Sequence, residues 1–186
     1  MSTKTKVLTT IALSVAINIV GSKISLFLSL PIFLDSIGTI LAGATLGPIA
    51  GLVTALVGGL VNGVLGDIYS IYFAPSGMIM GLLAGVVLYH KKVTKLSVIW
   101  KTALISVPAS FVSALISTYV FGGITSALLT TTIIQGLSKT VMDLFTSAFV
   151  TQTLTDYVDK LIAVVLTLVI IKRIPRGMLY FADNKQ

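Results

Sequence analysis

Six apolar stretches recur along this chain. They run from about Lys6 to Leu28, Pro31 to Leu46, Ile49 to Leu65, Ser76 to Tyr89, Val98 to Tyr119 and Tyr157 to Ile171. A helix that crosses a bilayer needs about 20 predominantly apolar residues. Only 10% of the 186 residues are charged, where a soluble domain carries about 25%. Mean hydropathy is +1.04. So few charges do not cover a water-exposed surface. A soluble globular enzyme, a nucleic-acid-binding domain and a disordered chain are excluded. The expectation is an all-α integral membrane protein, a single transmembrane domain over residues 1–186.

The formal charge of +7 would suit a nucleic-acid partner if it were spread along one face. It is not. The basic residues sit in clumps between apolar runs: Lys4 and Lys6, then Lys91, Lys92, Lys95 and Lys101, then Lys172, Arg173 and Arg176, with Lys185 at the tail. That is the positive-inside pattern. The first apolar run has no small-residue cleavage site at its end, so it reads as a retained span and not as a signal peptide. Spans one to four return the chain to the inside at Lys91, which places both termini in the cytoplasm.

The same parity governs Gly122–Asp156. The clumps on either side of it both belong inside, and span five and the last span already supply two crossings. The stretch therefore leaves and returns on the outer side, as a helical hairpin, a re-entrant segment or a lid. The full expectation is six transmembrane helices with an extra outer-side segment before the last. Gly47-Pro48 is a break between spans, and Pro31 suits a first helical turn. The polar-aromatic stretch Gly66–Pro75 reads as a loop.

Catalytic material is scarce. There is no glutamate and no cysteine, and His90 is the one histidine. No His/Asp/Glu group has metal spacing, no phosphate-binding loop is present, and no acid–base pair is in plausible reach. No enzymatic activity, cofactor or metal is expected. Polar residues at membrane depth are expensive, so they are the functional candidates. Asp35 lies near the start of span two, Asn62 near the outer end of span three, and Asp67, Tyr69 and Tyr72 in the loop after it. Thr132, Gln135, Lys139, Asp143 and Thr146 recur at helical steps and would share one face. There Lys139 either pairs with Asp143 at i, i+4 or meets a ligand carboxylate. Asp156, Asp159 and Lys160 read as an interfacial cap before the last span. In span one, Ala12 and Ala16 clear a flat stripe where another helix can approach.

Four features together resemble the substrate-binding S components of energy-coupling factor (ECF) vitamin transporters. They are the size and topology, the Ala12-x-x-x-Ala16 step, the block Leu30-Pro31-Ile32-Phe33-Leu34-Asp35-Ser36-Ile37-Gly38-Thr39 leading to Leu46-Gly47-Pro48, and the ending Asp159-Lys160-Leu161-Ile162 through Lys172-Arg173-Ile174-Pro175. The resemblance implies a subunit of the bacterial cell membrane that captures a water-soluble vitamin from outside. It implies a transmembrane coupling (T) subunit and two cytoplasmic ATPase subunits as partners, with Ala12 and Ala16 facing the coupling subunit. It also implies that the segments Ser29–Asp35, Gly66–Pro75 and Gly122–Asp156 close the pocket. Pantothenate is the first expected ligand, on the strength of Lys139. Hydroxymethylpyrimidine or pyridoxine is next. The alternative is a self-sufficient proton-coupled secondary transporter or small multidrug exporter, with Asp35 as its membrane carboxylate.

Overall fold

A computed structural model describes residues 3–28, 30, 32–91 and 93–173. The expectations for Ser29, Pro31, Lys92, Ile174-Pro175, Arg176 and Lys185 lie outside the described residues. The described residues form seven helices and no strand: α1 Thr3–Phe27, α2 Ile37–Leu46, α3 Pro48–Val64, α4 Ile68–Leu88, α5 Lys95–Tyr119, α6 Leu128–Thr140 and α7 Leu144–Arg173. By length and composition, α1, α4 and α5 can each cross a membrane.

The helix boundaries have local causes. Gly47 adopts φ +100° between α2 and α3, a conformation glycine reaches without strain, and Pro48 follows as the first residue of α3. The break expected at Gly47-Pro48 is therefore present. Helix α5 starts with a reciprocal cap. The Thr94 hydroxyl oxygen accepts from the Ser97 amide at 3.3 Å, and the Ser97 hydroxyl oxygen accepts from the Thr94 amide at 2.8 Å.

Four expectations on boundaries are corrected. Span two is helical only over Ile37–Leu46. The residues before it are held by side chains in place of helical bonds. The Leu34 amide donates to Asp159 at 3.0 Å, the Ser25 hydroxyl to the Ile32 carbonyl, and Leu34 sits at φ +53°. The loop expected over Gly66–Pro75 is mostly the first part of α4, which carries Pro75 inside it. Asp67 precedes that helix, and its carboxylate accepts the Ser70 hydroxyl at 2.7 Å. The last helix begins at Leu144, not near Tyr157.

Finally, Thr132, Gln135, Lys139, Asp143 and Thr146 do not share a helical face, because α6 stops at Thr140. Asp143 instead opens α7. Its carboxylate accepts the Thr146 hydroxyl at 2.6 Å and the Thr146 amide at 3.0 Å. Those bonds hold its carboxyl below the ordinary aspartate value of 3.8.

Packing follows from small residues. Helices α3 and α4 form the closest pair: a Cβ on Gly51 would run into the Gly81 carbonyl, and a Cβ on Gly81 into the Gly51 carbonyl. Gly85 is pressed in the same way against Pro48. The short α2 is enclosed by α1, α3, α4 and α7. An apolar cluster joins Ile40, Met80, Leu88, Ile105 and Val164 from α2, α4, α5 and α7. A second, around Ala114, Ile134 and Ala148, seats α6.

The distribution of polarity is the reverse of a water-soluble fold. Leu8, Leu13, Leu104, Phe111 and Val169 are exposed, whereas Asn18, Thr54, Asn62, Asp159 and Lys160 are buried. Such a surface suits lipid, in which polar groups turn to the bundle interior.

Candidate functional site

A cavity of about 110 Å³ lies inside the bundle. Every helix contributes to its wall. Three layers are distinguishable by chemistry.

The first layer is an amide and hydroxyl cluster. Asn18 Nδ2 donates to the Thr39 hydroxyl at 2.8 Å, and Asn18 Oδ1 accepts the Gly38 amide at 2.7 Å. That carboxamide bonds a buried amide in the first turn of α2, where helices leave donors unpaired. Ser22 donates to Asn62 Oδ1 at 3.1 Å. Gly38 permits the approach, since a Cβ there would strike the Ser14 carbonyl.

The second layer is ionic. Lys160 Nζ lies 3.1 Å from Asp156 and 2.9 Å from Asp159. Asp159 is 1% exposed and Lys160 7%. Asp159 also accepts the Leu34 amide at 3.0 Å and the Ser36 hydroxyl at 3.3 Å, while Asp156 accepts the Ser110 hydroxyl at 2.8 Å. The network thus fastens the α1–α2 segment and α5 to α7. Asp35 projects to the cavity beside it. Buried ions persist only when paired and hydrogen-bonded in this way.

The third layer is aromatic. Phe33 and Phe73 line the cavity. Phe73 stacks on Phe121 with ring centres 6.0 Å apart, and Phe121 also meets Tyr69 at 4.9 Å and Tyr72 at 5.1 Å.

The residues singled out from the sequence divide into two groups. Asp35, Asn62 and Asp67 line the cavity together. Tyr69 and Tyr72 are not on its wall; they pack on Phe121 behind Phe73. Gln135, Lys139 and Asp143 also lie off the wall, and Lys139 and Asp143 are exposed. The expected Lys139–Asp143 pairing is absent among the described residues, because the chain turns between them and Thr146 takes the Asp143 carboxylate. Lys139 thus gives no footing here for a ligand carboxylate.

Asp156 and Lys160, expected as a surface cap, line the cavity in mid-helix, with Asp159 buried beside them. Sequence reasoning also passed over Asn18, Ser22, Thr39 and Gln152. The signal for the first was an amide in the middle of an apolar span. The signal for the ionic layer was Asp156-x-x-Asp159-Lys160, whose i, i+3, i+4 spacing puts all three on one helical side.

Ala12 and Ala16 are exposed on α1, while Ser14, Val15 and Asn18 on the same helix are buried. Among the described residues, no group of three or more His, Cys, Asp or Glu side chains is placed to hold a metal ion.

No curated protein matches the chain. A family model, that of the ECF transporter substrate-specific component, matches residues 6–179. That span takes in all of the cavity wall and the exposed alanine stripe of α1. The chain is therefore a membrane protein belonging to the family of substrate-specific components of ECF transporters.

Proposed function

We propose that this chain is the substrate-capture subunit of an ECF-type importer in a bacterial cell membrane. It binds a water-soluble vitamin or vitamin precursor from the outer side and delivers it with a transmembrane coupling subunit and two cytoplasmic ATPases. The observation that carries this reading is the polar cavity inside a bundle whose outer surface is apolar. Cavities between the helices of a bundle are ordinary small-molecule sites. In this reading the coupling subunit and the ATPases supply the work.

In this reading the chain crosses the membrane six times and both termini are cytoplasmic, with Lys4, Lys6, Lys91, Lys172 and Arg173 on the inner side. Helix α2 alone, at 10 residues, rises only about 15 Å. In this reading the non-helical residues 32–36 before it supply the rest of the crossing. Helix α6 is the outer-side segment. Support comes from Ser126 and Thr155, which bracket it in sequence and line the same cavity. Ala12 and Ala16 form the docking stripe for the coupling subunit.

Pantothenate was favoured by Lys139, which lies off the cavity wall. Hydroxymethylpyrimidine or pyridoxine is better matched to a wall of hydroxyls, carboxylates and phenyl rings. Purified full-length protein, melted in the presence of each vitamin of a panel, should be stabilised by one of them. Uptake in cells should require the coexpressed coupling and ATPase subunits. Accumulation by this polypeptide alone under a proton gradient would overturn the proposal in favour of a secondary transporter.

A further inference from the structure

The charge on the cavity wall is one-sided. Asp35, Asp67 and Asp156 are its acidic side chains, and Lys160 is its one basic side chain among the described residues. That ammonium is already committed to Asp156 and Asp159. Counting Asp159, four carboxyl groups share one ammonium, so the acidic side chains outnumber their basic partner. A second observation is independent of charge. Gln152 Oε1 and Thr130 Oγ1 are buried, belong to cavity-lining residues and have no hydrogen-bond partner. Gln152 spends its Nε2 on the Ser117 hydroxyl at 2.8 Å, so the atom left over is an acceptor. A buried polar atom without a partner is costly, and a turn of the Gln152 side chain toward the cavity would bring this acceptor to a ligand donor.

We propose that the ligand is a small ring bearing a cationic or strongly donating nitrogen, which is held by Asp35 and Gln152 between Phe33 and Phe73, and that carboxylate-bearing analogues are rejected. This rests on the capture reading and narrows it. A ligand carboxylate would meet the like charge of these aspartates inside the bundle. Like-charge juxtaposition of that kind costs several kcal/mol, a discrimination of at least about a hundredfold. The phenyl rings supply the apolar faces, and their electron-rich surfaces favour a cationic ring over an anionic one.

The test uses matched rings of opposite charge on the purified full-length protein, by titration calorimetry at pH 7.5. Pyridoxamine is compared with 4-pyridoxate, and 4-amino-5-hydroxymethyl-2-methylpyrimidine with orotate. Pantothenate is the acyclic anion. The amino member of at least one pair should bind, with its carboxylate counterpart about a hundredfold weaker or undetectable. Asp35→Asn should weaken the amino probe at least about tenfold and narrow the gap to the carboxylate. Asp35→Glu should retain most of the affinity, and unliganded melts of both variants should stay near the parent. Tight binding of pantothenate or of either carboxylate ring would overturn the inference while leaving the capture reading intact. So would an Asp35→Asn variant with unchanged preference. Failure of every ring probe also overturns it, and the ATPase-dependent uptake assay then judges the capture reading separately.

Discussion

Replacing Lys160 by methionine removes one positive charge and keeps most of the side-chain volume. Two carboxylates then lose their partner at 3.1 and 2.9 Å. Asp159 is 1% exposed, so water does not take the place of the ammonium. Breaking a buried pair in this way costs about 3–5 kcal/mol. For a chain of this length, 1 kcal/mol moves the melting temperature by about 2–4 °C. The expected loss is thus about 6–20 °C, read by fluorescence-monitored melting in detergent. A compensating change separates charge from shape. Lys160→Met combined with Asp156→Asn and Asp159→Asn carries no orphaned charge. The carboxamide oxygen that Asp159→Asn leaves in place can still accept the Leu34 amide, so the triple variant should recover most of the loss. If Lys160→Met melts within about 2 °C of the parent, or the triple variant is no better than the single one, the ion network does not hold the bundle together.

Four further outcomes are expected. Gly81→Ala should cost about 1–3 kcal/mol, because its Cβ meets the Gly51 backbone and the helices must part. Gly136→Ala, with nothing within 4 Å of the added carbon, should be neutral or slightly stabilising in the same melt. Asp143→Ala should speed amide exchange in the first turn of α7. The carboxyl of Asp143 titrates below its ordinary value of 3.8, so its contribution is present above about pH 4. It is lost as the pH falls through the native value, where parent and variant should become indistinguishable. Ala16→Trp should abolish assembly with the coupling subunit in pull-down while ligand binding by the solitary chain persists. Loss of binding instead would place the alanine stripe in internal packing.

What the sequence made legible is what single residues announce. Asn62, Asp67 and Asp35 stand out as polar groups beside apolar runs, and all three reach the cavity wall. Gly47-Pro48 marks a break because glycine reaches φ +100° without strain and proline suits a first helical turn. The ionic layer was hidden by its position. Asp156, Asp159 and Lys160 precede the most apolar part of α7, so they looked like a boundary. Only their mutual pairing lets a helix carry them through its middle. Periodicity alone failed between Lys139 and Asp143, since spacing says nothing about whether the helix continues. The capping pattern Asp143-x-x-Thr146 was the available sign that it does not. Pro75 misled in the opposite direction, as a proline tolerated within α4.

Helix α1 turns two different faces outward and inward within a single turn. Its alanines at 12 and 16 lie bare on one flank, and its asparagine at 18 grips the start of α2 on the other. Any protein seated against the bare flank would press on the rod whose far side shapes the chamber. A tilt of that rod would pull on the Asn18–Gly38 bond, so in the proposed reading a partner on the bare flank would reshape the chamber without touching its contents.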